Sequence, residues 1–301
     1  MLEQIHFLLT YTCNYECDHC FLYCGPNTEG TFTLDQVQKV LNDAQNIKTV
    51  EWIYFEGGEP FLYYPLMLKG LQLAKELGFK TGIVTNSYWA TSVEDAKLWL
   101  KPIIDSGIDN ISLSDDSFHN DDTGENSAKI ASYAASELGF SANSICIDKP
   151  SVRVPVDDKG APVIGGGALF KGRAVEKLTS GLPTKSVENF VECKHEELVA
   201  PTRVHIDSLG NVQVCQGVSI GNMWHKPLSQ IINEYDVKNH PVCRLLSSGG
   251  PYKLAQFYNV NLDGKFIDEC HFCYTVRSNL INKIPEFLTP LQVYGLSNSV
   301  N

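Results

Sequence analysis

Apolar and polar positions along the first half of the chain follow two periods. Ile5 to Thr10, Val50 to Phe55, Gly82 to Thr85, Ile111 to Ser114 and Ser144 to Ile147 are short apolar, β-branched runs that predict strands. Between the first two, Val37, Val40, Leu41 and Ala44 recur at helical spacing on one face. Thr33 and Gln36 stand in capping-box positions ahead of them. Three junctions share one form: Leu77-Gly78-Phe79, Ser106-Gly107-Ile108 and Leu138-Gly139-Phe140. A glycine after a helix, followed by an apolar residue, predicts a left-handed stop whose next residue packs back. Repeated β-α units predict a parallel sheet with right-handed crossovers. Periodicity leaves two α/β architectures open, a doubly wound sheet and an open or closed barrel.

After about residue 150 the texture changes. Asp157-Asp158-Lys159-Gly160 and Gly165-Gly166-Gly167 are turn material. Val204 to Asp207 and Asn211 to Val214 alternate around Ser208-Leu209-Gly210, which predicts a hairpin. The rest is too irregular for another βα unit, and a boundary is expected near residue 185.

Composition narrows the class. Hydrophobic residues make up 43% of the 301 and charged residues 20%, as in a chain that buries a core. That excludes a disordered tail, a collagen-like fibre and a disulfide miniprotein. Acidic residues number 35 against 24 basic, a net charge of −11, which argues against a nucleic-acid binder driven by phosphate contacts. No apolar stretch reaches the ~18 residues of a membrane span. Met1-Leu2-Glu3-Gln4 lacks the start of a signal peptide, so a cytoplasmic location is expected.

Cysteine changes the picture. Of 10 cysteines, Cys13, Cys17, Cys20 and Cys24 crowd the N-terminus, and Cys193, Cys215, Cys243, Cys270 and Cys273 lie in the last third. In a reducing compartment, short-spaced thiols read as metal or redox sites. Cys13, Cys17 and Cys20 form C-x3-C-x2-C just after the first strand, on the edge where βα sheets build active sites. Three thiolates there can hold three irons of a four-iron cluster and leave the fourth open. A tetrahedral zinc site with Cys24 or His19 as fourth ligand has the same donors. The second strand ends in Phe55-Glu56-Gly57-Gly58-Glu59-Pro60, where two glycines admit a ligand close to the backbone.

Together, the C-x3-C-x2-C and Gly-Gly-Glu-Pro motifs on successive strands resemble the radical S-adenosylmethionine (radical SAM) superfamily. The likeness continues in Thr85-Asn86-Ser87, where that family often has a TNG-like turn, and in Ser112 to Asp116 after the fourth strand. The resemblance implies a partial (β/α)6-type barrel over residues 1–185. It implies that Cys13, Cys17 and Cys20 hold a [4Fe-4S] cluster whose open iron binds the amine and carboxylate of S-adenosylmethionine. Gly57, Gly58 and Glu59 would receive the amine, and His19 would meet the adenine, chiefly through its backbone. Thr85, Asn86, Ser114 and Asp116 would line the ribose and methionyl side. One electron from a flavodoxin- or ferredoxin-like donor would release a 5′-deoxyadenosyl radical that abstracts a substrate hydrogen. Cys24 falls outside the motif and is expected to be a bystander.

The last third carries Cys193, then Gly210 and Cys215 with four residues between them, then Cys270-x2-Cys273. Four thiols suffice for one four-iron cluster or one zinc. In this company they resemble the auxiliary-cluster extensions called SPASM or twitch, although the later cysteine run of a complete SPASM domain is missing. Residues 186–301 are therefore expected to form a small irregular iron-sulfur domain with one auxiliary [4Fe-4S] cluster on Cys193, Cys215, Cys270 and Cys273. Cys243 is expected to be a buried small residue, and Cys146 a core residue inside the fifth strand.

Asp116 and His119 are the candidate catalytic pair, expected with Asp115 on the cluster side of the fourth strand. Arg173 could anchor a substrate carboxylate or lie on the surface at a helix start. His205 reads as a satisfied sheet histidine. Relatives with such extensions modify peptide or protein side chains, or small metabolites. With a first strand this close to residue 1, no leader-peptide-binding or cobalamin-binding domain is expected ahead of it. The reading from another class is a zinc-stabilised scaffold protein without catalysis.

Overall fold

The computed structural model describes residues 1–119, 126–153 and 163–296. The expected turn at Asp157 to Gly160 lies outside them. Five strands, β1 (Gln4–Thr10), β2 (Trp52–Gly57), β3 (Lys80–Thr85), β4 (Asn110–Ser114) and β5 (Asn143–Ile145), alternate with four helices. These are α1 (Leu34–Ala44), α2 (Tyr64–Glu76), α3 (Val93–Asp105) and α4 (Ser127–Glu137). All five strands run parallel and pair in chain order. A doubly wound sheet reverses its strand order at a switch point, whereas a barrel winds one way. The order 1-2-3-4-5 therefore selects the partial barrel.

Local signals fold as read. Gln36 N–H donates to Thr33 Oγ1 at 3.3 Å and Thr33 N–H to Gln36 Oε1 at 2.9 Å, closing the capping box of α1. Gly78, Gly107 and Gly139 all take positive φ, and Phe79 N–H reaches back to Ala74 O at 3.0 Å. The second strand differs in its end. It runs on to Gly57, which brings Glu56 into the sheet. The fifth ends at Ile145, so Cys146 lies beyond it and is exposed, not core. The reason is that β5 is an edge strand whose three residues are all exposed.

A two-stranded ribbon, β6 (Ser151–Arg153) and β7 (Val163–Gly165), and the short α5 (Ala174–Lys177) follow. Next come β8 (Lys185–Ser186) and the hairpin of β9 (Arg203–Asp207) and β10 (Asn211–Cys215), continued by β11 (Val218–Asn222). The hairpin forms where expected, but β9 pairs parallel with β1, so the main sheet has the order β11-β10-β9-β1-β2-β3-β4-β5. The cause is β1 itself. Six of its seven residues are buried, so its second edge needs a hydrogen-bonded partner. The chain ends in α6 (Leu228–Glu234), α7 (Cys243–Tyr258), β12 (Lys265–Phe266, paired with β8) and α8 (Glu269–Ser278).

The period-2 alternation of β1 sorts its side chains. Ile5, Phe7 and Leu9 join Val37, Val40, Leu41 and Ala44 of α1 in the main core. Leu8 faces the other way, into a smaller cluster with Tyr11, Cys13, Leu22 and Cys24. His6 and Thr10 share Leu8's side by the same alternation. The inner face of the half-barrel is thus partly polar, beneath the loop that carries the first cysteines. No helix among the described residues is long and apolar enough to cross a membrane.

Candidate active site

The loops after parallel strands gather at one edge of the sheet. There Cys13, Cys17, Cys20, Cys24, His19, Gly57, Gly58, Thr85, Asn86, Ser114 and His119 line one cavity of about 250 Å³. The loop after β1 is tied down by backbone bonds from Tyr11 N–H to Gly30 O and Cys13 N–H to Gly25 O, both 3.0 Å. Cys20 N–H then donates to Cys17 O at 3.0 Å, which curls the cysteine turn.

Close approach explains the two glycines after β2. A Cβ on Gly57 would stand 2.6 Å from Thr10 O, and one on Gly58 would stand 2.1 Å from Thr12 O. Gly58 N–H and Glu59 N–H bond those same carbonyls at 2.7 and 2.9 Å. Glu59 is fully buried and does not line the cavity. Its carboxylate accepts from Thr85 Oγ1 at 2.8 Å, Asn86 N–H at 2.8 Å and Phe61 N–H at 3.0 Å. Burial pushes it up to about 7 against those bonds. Glu59 thus sets the turn after β3, and the Gly57–Gly58 backbone is what faces the cavity. In that turn Asn86 Nδ2 reaches Cys13 Sγ at 3.7 Å and Asn14 Oδ1 at 2.9 Å. Ser87, at the third position of the TNG-like turn, takes φ +63, a value that favours glycine.

Asp116 and His119 also meet here. Asp116 Oδ1 lies 2.8 Å from His119 Nδ1 and accepts from Phe118 N–H at 3.0 Å. Burial alone would raise the Asp116 carboxyl, but contact with His119 and the nearby histidine charge win and lower it. Burial, aided by the charge of His119, lowers His19 to about 4, so it is a neutral ring beside Phe118 at 4.4 Å. Asp115 turns elsewhere and accepts from the side chain of Asn126, the N-cap of α4.

Burial pushes Cys13 and Cys17 up to about 12, while a bond from Cys24 brings Cys20 down to about 6. Neighbouring free thiols, two of them costly to ionise and one of them readily ionised, fit a metal cluster whose positive iron core favours the thiolate form of all three. Cys24, expected from spacing to be a bystander, is buried against Cys20 and lines the cavity.

Arg173 is neither a substrate anchor nor a surface residue. It is 9% exposed, and its guanidinium donates to Cys17 O at 2.9 Å and Cys24 O at 2.8 Å. Its own N–H donates to Cys20 O at 2.9 Å. One residue therefore clamps both ends of the cysteine turn. A single arginine between a glycine and an alanine carries no sequence signal for that role.

Cys193, Cys215, Cys270 and Cys273 line a second, separate cavity, together with Lys171, Glu196, Glu269 and Arg277. Cys270 and Cys273 sit in the first turns of α8, capped by Asp268, where the helix dipole favours thiolates. Lys171 Nζ lies 4.0 Å from Cys215 Sγ and donates to Gln216 Oε1 at 2.6 Å. Arg277, buried too, donates to Gln216 O at 2.9 Å. Lys171 also pairs with Glu196 at 3.3 Å, and Arg277 has no carboxylate partner among the described residues, so a buried guanidinium beside four thiols fits an anionic metal–thiolate group. Cys243 is fully buried in the main core and does not line this cavity.

Residues missed by sequence reasoning lie on the inner face of the sheet. Glu56 borders the first cavity and stands 3.2 Å from His6 Nδ1 and 3.3 Å from His205 Nε2. His205 Nδ1 has no partner, so this histidine is not the satisfied residue expected. A charged residue at an inward strand position was the available signal.

Comparison with known proteins places residues 7–136 in the Radical SAM superfamily model. Among curated proteins, the chain is 30% identical over 116 residues to the tungsten-containing aldehyde ferredoxin oxidoreductase cofactor-modifying protein of Pyrococcus furiosus, covering 38% of this chain and 31% of that one. It is 28% identical over 88 residues to an S-adenosylmethionine-dependent nucleotide dehydratase of Fibrobacter sp., covering 27% and 26%. The chain thus spans between a quarter and a third of the length of these relatives. Among solved structures, BtrN in complex with AdoMet and 2-DOIA shares the fold at a TM-score of 0.50 and 15% identity, over 91% of this chain and 92% of that one.

Proposed function

We propose that this radical SAM enzyme, whose superfamily segment spans residues 7–136, holds its cluster on Cys13, Cys17 and Cys20 and binds S-adenosylmethionine in the adjoining cavity. The observation that carries the assignment is the convergence of those thiols with Gly57, Gly58, Asn86 and Ser114 on one cavity at the C-terminal strand edge. When bound, the cluster supplies the electron that cleaves S-adenosylmethionine to methionine and a 5′-deoxyadenosyl radical.

The protein's part is placement. The backbone of Gly57 and Gly58 receives the methionyl amine, and Glu59 acts behind it by fixing Thr85 and Asn86. His19, backed by Phe118 at 4.4 Å, offers the adenine a neutral wall. Asp116 accepts from His119, so the pair can orient a ribose hydroxyl or move a proton at His119 Nε2. Arg173 holds the cysteine turn in register. The substrate is a peptide or protein side chain or a small metabolite, and a low-potential flavodoxin- or ferredoxin-like protein supplies the electron.

The same reading gives Cys193, Cys215, Cys270 and Cys273 one auxiliary [4Fe-4S] cluster in a C-terminal domain over residues 186–301. Lys171 and Arg277 balance its charge. The test is anaerobic reconstitution with iron and sulfide, followed by S-adenosylmethionine and dithionite. The wild type yields 5′-deoxyadenosine, and Cys17→Ala yields none. Equal 5′-deoxyadenosine from that variant refutes the assignment.

A further inference from the structure

The three inner strands β1, β2 and β9 bring His6, Glu56 and His205 together below the first cysteine cavity. One ligand atom from each lies within 4.8 Å of the other two. His6 is 8% and His205 4% exposed. No salt-bridging lysine or arginine reaches Glu56 among the described residues; its partners are these two histidines.

His6 Nε2 lies 3.1 Å from Gln4 Oε1, an acceptor in this amide orientation, which favours the tautomer with the proton on Nε2. Nδ1 faces Glu56 Oε2 at 3.2 Å. In the neutral ring with its proton on Nε2 this is a lone pair turned toward a half-buried carboxylate, which is repulsive unless a proton or a metal ion lies between them. A histidine that ligates a metal through one nitrogen and donates its other N–H to an oxygen acceptor has this arrangement. Two imidazoles and one carboxylate are the donor set of three-ligand zinc sites that keep one position open. The 3.2 Å contact runs from Glu56 Oε2 to His6 Nδ1 and the 3.3 Å contact from Oε1 to His205 Nε2, so the carboxylate turns one oxygen to each ring.

We propose that His6, Glu56 and His205 form a divalent-cation site of the zinc type, separate from both cysteine cavities. The ion is held by His6 Nδ1, the Glu56 carboxylate and His205 Nε2, with Gln4 beside the His6 ring. Because Glu56 also borders the first cavity, the ion lies where it can bind an oxygen of a molecule that enters there. The site draws on none of the cysteines and does not rest on the function proposed above.

The probe is Zn²⁺ itself, dialysed against the full-length protein with its iron-sulfur clusters loaded. Metal analysis and zinc K-edge absorption read the outcome. The wild type takes up one zinc with a nitrogen and oxygen shell, imidazole scattering and no sulfur, and its iron is unchanged. Glu56→Gln and His205→Gln bind it at least ~100-fold more weakly, and Gln4→Ala, which removes only the outer partner, about tenfold more weakly. Iron content and the melting temperature without zinc report whether each variant has folded. If His205→Gln fails to fold, His6→Gln and Gln4→Ala carry the test. No zinc uptake, sulfur in the zinc shell, or equal uptake by folded Glu56→Gln would overturn the proposal and leave a proton-bridged ion pair.

Discussion

The two cysteine cavities are built on opposite plans. In the first, Cys13, Cys17, Cys20 and Cys24 lie on a single loop, and the parallel sheet brings Gly57, Gly58, Asn86 and Ser114 to it. In the second, the thiols come from separate elements: the stretch before β9, the end of β10, and the first turns of α8. A loop site depends on whatever clamps the loop, here Arg173. A site assembled from distant elements depends on the packing that brings them together, here with Lys171 and Arg277 buried beside them. The segment Lys171–Arg173 touches both, one residue to each cavity. Perturbing its two ends should therefore separate the sites.

The largest effect is expected at Arg173. Arg173→Met leaves two buried carbonyls without their donor, and bonds to a charged group are worth about 1.5–3 kcal/mol each. The variant should lose the iron of the first cavity on gel filtration and keep that of the second. Loss of both in equal measure would mean that the cavities are not independent.

Glu59 gives a smaller effect, readable by pH. Burial raises its carboxyl from 4.5 to about 7, so the folded apoprotein binds a proton that the unfolded chain has released. That contribution is fully present below about pH 4.5 and is lost as pH rises through 7. Urea unfolding of the apoprotein should show stability falling across that window. In Glu59→Gln the slope should flatten, whatever the variant's absolute stability.

Lys171→Met should act on the second site alone. On the proposed assignment of a cluster to the second cavity, removing a cation 4.0 Å from Cys215 Sγ disfavours its reduced, more negative state. The potential of the C-terminal centre should fall by about 60 mV, a tenfold change in a one-electron equilibrium. Potentiometric titration followed by electron paramagnetic resonance would read it, with the first cluster's signal as internal reference. The smallest effect is expected at Cys146, which is exposed and belongs to neither cavity. Cys146→Ser should change stability by less than about 0.5 kcal/mol and leave iron unchanged.

The same contrast explains what the sequence made legible. The strand-loop order of β1 to β4 and the motif thiols lie within short segments, where spacing and period suffice. Cys193, Cys215, Cys270 and Cys273 could be grouped by chemistry, but only the fold brings them to one cavity. Arg173 and Lys171 were opaque because their partners are backbone carbonyls and a thiol far away in sequence. Glu59 was visible as a motif residue, yet its carboxylate faces Thr85 and Asn86 because its backbone N–H is already held by Thr12. Pairing of β9 with β1 was hidden by the change of texture after residue 150. That pairing is what sets His205 beside Glu56.

The most direct test of two independent sites with one radical-generating cavity is the triple variant Cys13→Ala, Cys17→Ala, Cys20→Ala. It should be reconstituted anaerobically, assayed for 5′-deoxyadenosine and examined by Mössbauer spectroscopy. The account predicts no 5′-deoxyadenosine, with about four irons left in one cubane environment. Persistent S-adenosylmethionine cleavage, or one zinc with no residual iron, would contradict it.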